Sequence, residues 1–375
     1  MAFHLGCLRA LHDRNILCKV SVLSTVSGGS VIGACWAYRK ETFPEFDRHI
    51  VAVLRRSLQW DIVREALLSF EAPKILATWL VTGPLSLGSS ILSFAATRMH
   101  RWFGLPTKSL AHILDSFTRQ LPVWGNLTTA FEAALARRFF GATTVDQVQR
   151  ANLVTIINAC DLRTGTAFRF GSQRSGGWRY GSVAGYPPTV AKAVAASAAF
   201  PLLFPPLIET FVFTGKGEQT RQTVSLTDGG VYDNLGVAVF EPGRADDSLF
   251  KFPVSHIITL NAGAGQFDGE DRDYWWLGRL ERSFGAVHRK AQDAVYQRLH
   301  KYAEAGELAG FGMVYLGQQD KKLPWAPNDL VSRERVRNYP TDFAPMSEQD
   351  LQALALRGEQ LTHIIIERYL LSLAD

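Results

Sequence analysis

The chain has little sulfur. Its 375 residues include four cysteines and four methionines. Cys7, Cys18, Cys35 and Cys160 follow neither a CxxC nor a zinc-ligand spacing, which argues against a disulfide scaffold and a structural zinc site; free thiols in a reducing compartment are the simplest reading. Charge is also sparse, at 20% of residues with a net charge of +5. No basic stripe gathers that excess, so nucleic-acid binding has no support. The pI near 9.0 leaves a weak attraction to anionic membrane surfaces as a possible peripheral contact. There is no repeat and no low-complexity tract. Met1-Ala2-Phe3-His4-Leu5-Gly6 lacks the basic and long apolar regions of a secretory leader, so a cytoplasmic location is expected.

Apolar residues are abundant. They make up 47% of the chain and include 23 phenylalanines and nine tryptophans, enough for a sizeable core. Phe3, Leu5, Leu8 and Leu11 predict a helix over 2–14. Strands are predicted at 20–23, 152–159, 167–170, 224–226, 256–260 and 313–316, and helices at 31–40, 189–199, from the 260s to about 307, and 351–371. Alternating strands and helices imply one α/β sheet, and residues 43–125 read as a helical insertion or lid within a single domain. No charge lies between Ile75 and Thr97, a stretch long enough to cross a bilayer. Gly83-Pro84, Gly88 and scattered Ser and Thr argue instead for two short apolar helices. Trp60, Trp79, Trp102 and Trp275-Trp276 suit either a membrane interface or an aromatic core.

Two residues stand out chemically. Ser27 follows a strand and precedes a helix in Thr25-Val26-Ser27-Gly28-Gly29-Ser30, a turn that exposes a hydroxyl and aims backbone N–H groups at an oxyanion. Small flanks are needed if that turn presses on neighbouring backbone, and Gly28 and Gly29 supply them; Thr25 stands where G-x-S-x-G has glycine. An ordinary capping loop with Ser27 or Ser30 as N-cap fits the same residues. Asp228 ends an apolar strand at Asp228-Gly229-Gly230, where open α/β sheets place active sites and where Gly229 and Gly230 allow close backbone approach. Asp-Gly is equally a common turn.

The ordered set is more specific than its parts. Thr25–Ser30, then Asn158-Ala159-Cys160-Asp161-Leu162-Arg163-Thr164-Gly165, then Ala196-Ser197-Ala198-Ala199-Phe200-Pro201-Leu202-Leu203-Phe204-Pro205-Pro206, then Asp228-Gly229-Gly230-Val231-Tyr232-Asp233-Asn234-Leu235-Gly236 resembles the patatin-like phospholipase family. Thr341-Asp342-Phe343 before a closing helix is similar to bacterial members. The resemblance implies a three-layer α/β/α fold with Ser27 as nucleophile, Asp228 as base, and a lipid or acyl-ester substrate. The oxyanion site would use Gly28 and Gly29, with motif support from Gly229 and Gly230. One departure is plain: the family's glycine-rich oxyanion loop precedes the first helix, and here the chain starts at that helix. A shortened reading of a longer gene is expected rather than a defective homologue, since the other blocks are intact.

Competing readings are a catalytically silent lipid-binding protein and a Ser-His-Asp esterase using His256. His256 opens an apolar strand, which favours a structural role. The histidines at 49, 100, 112, 288, 300 and 363 lack metal spacing, and Gly263-Ala264-Gly265 is too short for a dinucleotide fingerprint, so no metal and no cofactor are expected. Ser197 reads as a packing residue beside the site.

Overall fold

A computed structural model describes residues 1–201, 203–215, 217–242, 250–265, 269, 275–340 and 343–374. Leu202 and the Thr341-Asp342 pair lie outside the described residues. The chain divides into two units, Met1–Gln59 with Leu135–Asp375, and Trp60–Ala134.

In the first unit, α1 (Ala2–Asp13) buries Phe3, Leu5, Leu8 and Leu11, the stripe expected from their spacing. The strand predicted at 20–23 is β1 (Val22–Val26) and runs directly into α2 (Gly28–Tyr38). α3 (Phe43–Arg56) starts at a capping box in which Thr42 and Glu45 satisfy each other's backbone. Arg9 holds it to α1 through Asp47 at 2.7 Å. Because α3 packs on α1, the inserted unit begins at residue 60 and ends at 134, not at 43 and 125.

The inserted unit is helical: α4 (Gln59–Leu68), α5 (Glu71–Ala77), α6 (Gly83–Phe103), α7 (Lys108–Gln120) and the start of α8 (Leu127–Leu135). The two short helices expected around Gly83-Pro84 are in fact one run, Glu71–Phe103. Pro84 cannot donate a backbone hydrogen bond, and the widened π-turn Thr78–Thr82 just before it reorganises the ladder so the helix continues.

The first unit resumes with β2 (Val154–Asp161), β3 (Thr166–Gly171), β4 (Ser175–Gly177), β5 (Gly181–Val183), α9 (Val190–Ser197), β6 (Leu207–Gly215), β7 (Glu218–Asp228) and the single turn α10 (Gly230–Asp233). β1 to β7 form one mixed sheet flanked by helices, and β7 returns to pair with β2. β1 is parallel to β2; β3 and β7 are antiparallel to it. Among the described residues β1 pairs only with β2.

The single sheet expected from the sequence is in fact two. β8 (His256–Asn261) and β9 (Gly310–Tyr315) form a separate parallel pair. Phe311 and Met313 of β9 pack with Leu299 of α11 (Trp276–Glu304), while α13 (Glu348–Tyr369), which follows the short α12 (Arg333–Val336), also lies against β9. α13 starts three residues before its predicted position because Ser347 caps it, accepting the Asp350 N–H at 3.1 Å. It crosses α1 closely: a Cβ at Gly6 would lie 1.8 Å from the Ala355 carbonyl oxygen.

Candidate active site

Ser27 occupies the turn between β1 and α2 with φ 54° and ψ −134°. That backbone region is open essentially to glycine, and holding a serine there costs about 1–3 kcal/mol. The surroundings over-determine it. The Ser27 N–H donates to Ser197 Oγ at 3.1 Å. Ser197, fully buried at the end of α9, shares a 2.8 Å hydrogen bond with Ser30 Oγ. Ser30 in turn donates to Thr25 Oγ1 at 3.2 Å.

Asn158 pins the neighbouring strands. Its Nδ2 donates to Ser24 Oγ at 2.9 Å and to the Thr25 carbonyl at 3.0 Å, and Ser24 donates to the Gly236 carbonyl at 2.5 Å. Three of the four sequence blocks therefore meet at one point. The fourth joins through Ser197, whose carbonyl accepts the Gly229 N–H at 3.2 Å.

Asp228 closes the arrangement. Val26 pairs with Asn158 and Asp228 with Ala159, so the ends of β1 and β7 converge on consecutive residues of β2. The Ser27 hydroxyl donates to Asp228 Oδ2 at 2.6 Å, and the Gly230 N–H donates to Oδ1 at 2.7 Å. Asp228 is 3% exposed. Burial raises its pKa to about 6, against the opposing pull of the Ser27 and Gly230 hydrogen bonds. A carboxylate with that pKa is mostly ionised at neutral pH yet more basic than a solvated one.

The glycines divide by role. A Cβ at Gly229 would lie 2.2 Å from the Asn158 carbonyl oxygen, so close backbone approach requires glycine there. At Gly28 and Gly29 the packing reason fails: a Cβ at either would meet nothing within 4 Å. These residues leave open space beside Ser27, and as the first turn of α2 their N–H groups have no carbonyl one turn back to bind. An anion placed there would meet free donors and the positive end of the helix.

Other candidates are not brought to this point. His256 bonds Ser255 Oγ and Ser372 Oγ, each at 3.0 Å. Burial pushes the Cys7 and Cys35 thiols up to about 12 and Cys160 to about 11, so none is a ready thiolate. Asp13, Glu359 and His363 bring ligand atoms within 4.8 Å of one another on α1 and α13, but this group is exposed or half-buried and shares no residue with the serine turn. A cleft of about 360 Å³ is lined by Leu162, Pro201, Leu203, Phe204, Pro205, Pro206 and Thr227 and touches neither Ser27 nor Asp228. Sequence reasoning missed Ser30 and Asn158 as positioning residues; their signal was a polar side chain embedded in an otherwise apolar strand or helix start.

A mixed sheet flanked by helices, with a serine on a strained strand-to-helix turn facing a buried aspartate, places the chain among α/β proteins built around that turn. The family model of patatin-like phospholipases matches residues 1–240, and the chain belongs to that family. The family's chemistry is the hydrolysis of lipid acyl esters. Among solved structures, VipD from Legionella pneumophila is similar at 14% identity and a TM-score of 0.35, over 98% of this chain and 65% of that one. The chain thus matches less than two thirds of that protein's length. No curated protein matches.

Proposed function

We propose that the chain is a lipid acyl hydrolase that cleaves carboxylic esters through Ser27 and Asp228. The observation that carries this reading is the 2.6 Å hydrogen bond from Ser27 to a buried carboxylate whose pKa burial has raised to about 6. Ser27 Oγ attacks the ester carbonyl while Asp228 Oδ2 takes its proton. The oxyanion that forms is held by the Gly28 and Gly29 N–H groups at the start of α2. Collapse breaks the acyl–oxygen bond, Asp228 returns the proton to the leaving alcohol, and an acyl-serine remains. Water, deprotonated by Asp228, then releases the acid and restores Ser27.

Esters suit a carboxylate base because an alcohol leaves with less protonation than an amine. Phospholipids, lysophospholipids and acylglycerols share this bond and are the proposed substrate class. A fluorophosphonate probe tests the reading. Labelling should map to Ser27, vanish in Ser27→Ala and slow by at least about 100-fold in Asp228→Asn. A folded chain that takes no label is instead a lipid-binding protein without turnover.

A further inference from the structure

The inserted unit presents its apolar side chains to solvent. Along Glu71–Phe103 only 11% of the most apolar stretch is buried. Leu87, Ile91, Phe94 and Trp102 are each more than half exposed. Together with Arg98 they follow one another at spacings of three and four, which puts them on one face of α6. No charge interrupts the helix between Lys74 and Arg98, a distance of roughly 35 Å at helical rise. An exposed apolar patch of this extent marks an interaction surface.

Several hydroxyls of this unit are satisfied within it. Thr78 and Thr82 donate to the carbonyls of Lys74 and Thr78 at 2.9 and 2.8 Å. Ser89 shares a 2.6 Å hydrogen bond with Thr118 of α7, and Ser93 donates to Asp115 of α7. Thr107 donates to the Ala96 carbonyl at 2.6 Å. These donors find their acceptors inside the unit, as a non-aqueous surrounding demands.

Connectivity decides the orientation. β1 precedes the unit and β2 follows it, yet they are hydrogen-bonded neighbours. The chain must therefore leave and return on the same side of any membrane, and a crossing by Glu71–Phe103 would need a second crossing back. α7 has 13 residues, roughly 20 Å, and carries Lys108 and Asp115; α4 has 10 residues with Asp61, Arg64 and Glu65. Both are too short and too charged to span. The helix can lie in an interface but cannot cross it.

The turn between α6 and α7 identifies the interface. Arg98, Arg101 and Lys108 cluster there, with no acidic residue between Glu71 and Asp115. The Arg98 guanidinium lies 5.0 Å from the ring centres of both Phe94 and Trp102. An arginine against an exposed indole suits headgroup level, with the ring toward the acyl boundary and the cation on phosphate. We infer that residues 60–134 seat the chain flat on a bilayer surface containing anionic phospholipid, with α6 sunk to its Leu87–Phe94 face and Arg98, Arg101 and Lys108 on lipid phosphates. This inference does not depend on the hydrolase reading.

Vesicle flotation of the full chain carrying Ser27→Ala, which excludes turnover, tests it. The protein should float with phosphatidylcholine vesicles containing phosphatidylglycerol, and about tenfold less with phosphatidylcholine alone. Leu87→Asp with Ile91→Asp should weaken binding to both by about 100-fold. Arg98→Gln with Arg101→Gln should weaken only the anionic preference. Quenching of tryptophan fluorescence by brominated acyl chains should fall in Trp102→Phe, a check that survives if the Asp pair fails to fold. Flotation unchanged by the Asp pair, an intact anionic preference without the arginines, or no flotation of the parent chain would each overturn the inference. So would a dimer in gel filtration that the Asp pair makes monomeric without changing flotation, since the face would then belong to a second copy.

Discussion

Val26 and Asp228 sit at consecutive registers on one edge of β2, opposite Asn158 and Ala159 respectively. β1 runs parallel to β2 and β7 antiparallel, so the two strands meet end to end. The residue after Val26 is Ser27, and its hydroxyl donates to Asp228 Oδ2 at 2.6 Å. Two residues two hundred positions apart are thus placed by backbone pairing, with side-chain hydrogen bonds refining the fit.

Ser197 should matter without touching substrate. Ser197→Ala leaves the Ser27 N–H unpaired in a half-buried setting, which should cost about 1 kcal/mol of stability. Turnover of a short soluble ester should fall about tenfold in kcat with KM nearly unchanged, because the turn loosens while the binding surface stays. Thermal melts alongside steady-state kinetics measure both.

The pH profile should carry the signature of Asp228. Activity should rise as pH climbs through about 6, where the base ionises. Stability should run the other way. The folded-state pKa of about 6 lies above the 3.8 of a free carboxyl, so this group's contribution is complete below about pH 3.8 and is lost as pH rises through about 6. Asp228→Asn should therefore be inactive yet more stable than the parent chain at neutral pH, by on the order of 3 kcal/mol, with the gap closing in acid. Melting both proteins across that range decides it.

Two replacements of Ser27 separate its chemistry from its backbone. Ser27→Ala and Ser27→Gly both delete the hydroxyl, but only glycine is at ease at φ 54°, ψ −134°. Ser27→Gly should be the more stable of the two by about 1–2 kcal/mol, and both should be inactive. Denaturant unfolding compares them directly.

His256→Ala should leave ester turnover within about twofold of the parent chain, since its ring bonds Ser255 and Ser372. A loss of 1,000-fold with the fold intact would restore an imidazole to the mechanism.

Much of the fold was legible where local pattern and tertiary burial agree. The apolar stripe of α1 and the run Val154–Asp161 of β2 both announce themselves. The hairpin β6–β7 did not. Residues 218 to 222 are exposed, so they carry no alternating core face; what holds them is pairing with β6, from Leu207–Leu226 to Gly215–Glu218. The three-residue strands β4 and β5 were hidden for another reason: they are short and rich in glycine, with too few side chains to show a period. At the site, Ser27 and Asp228 were legible as residues, but their meeting depends on register, which no local pattern contains. The glycines at 28 and 29 were legible with the wrong cause, because open space and crowding select the same residue.

The Arg138 side chain donates to the Ser57 carbonyl at 2.9 Å. The chain therefore departs for the inserted helices and comes back at nearly the same spot on the first unit, and everything between is a closed excursion. Closing a long excursion costs little more than closing a short one, since the entropy grows only with the logarithm of its length. The gene can thus lengthen, shorten or exchange this segment without renegotiating the sheet that holds Ser27. It is also where a circularly permuted chain could open new termini while the old route through Ser57 and Arg138 stays stitched.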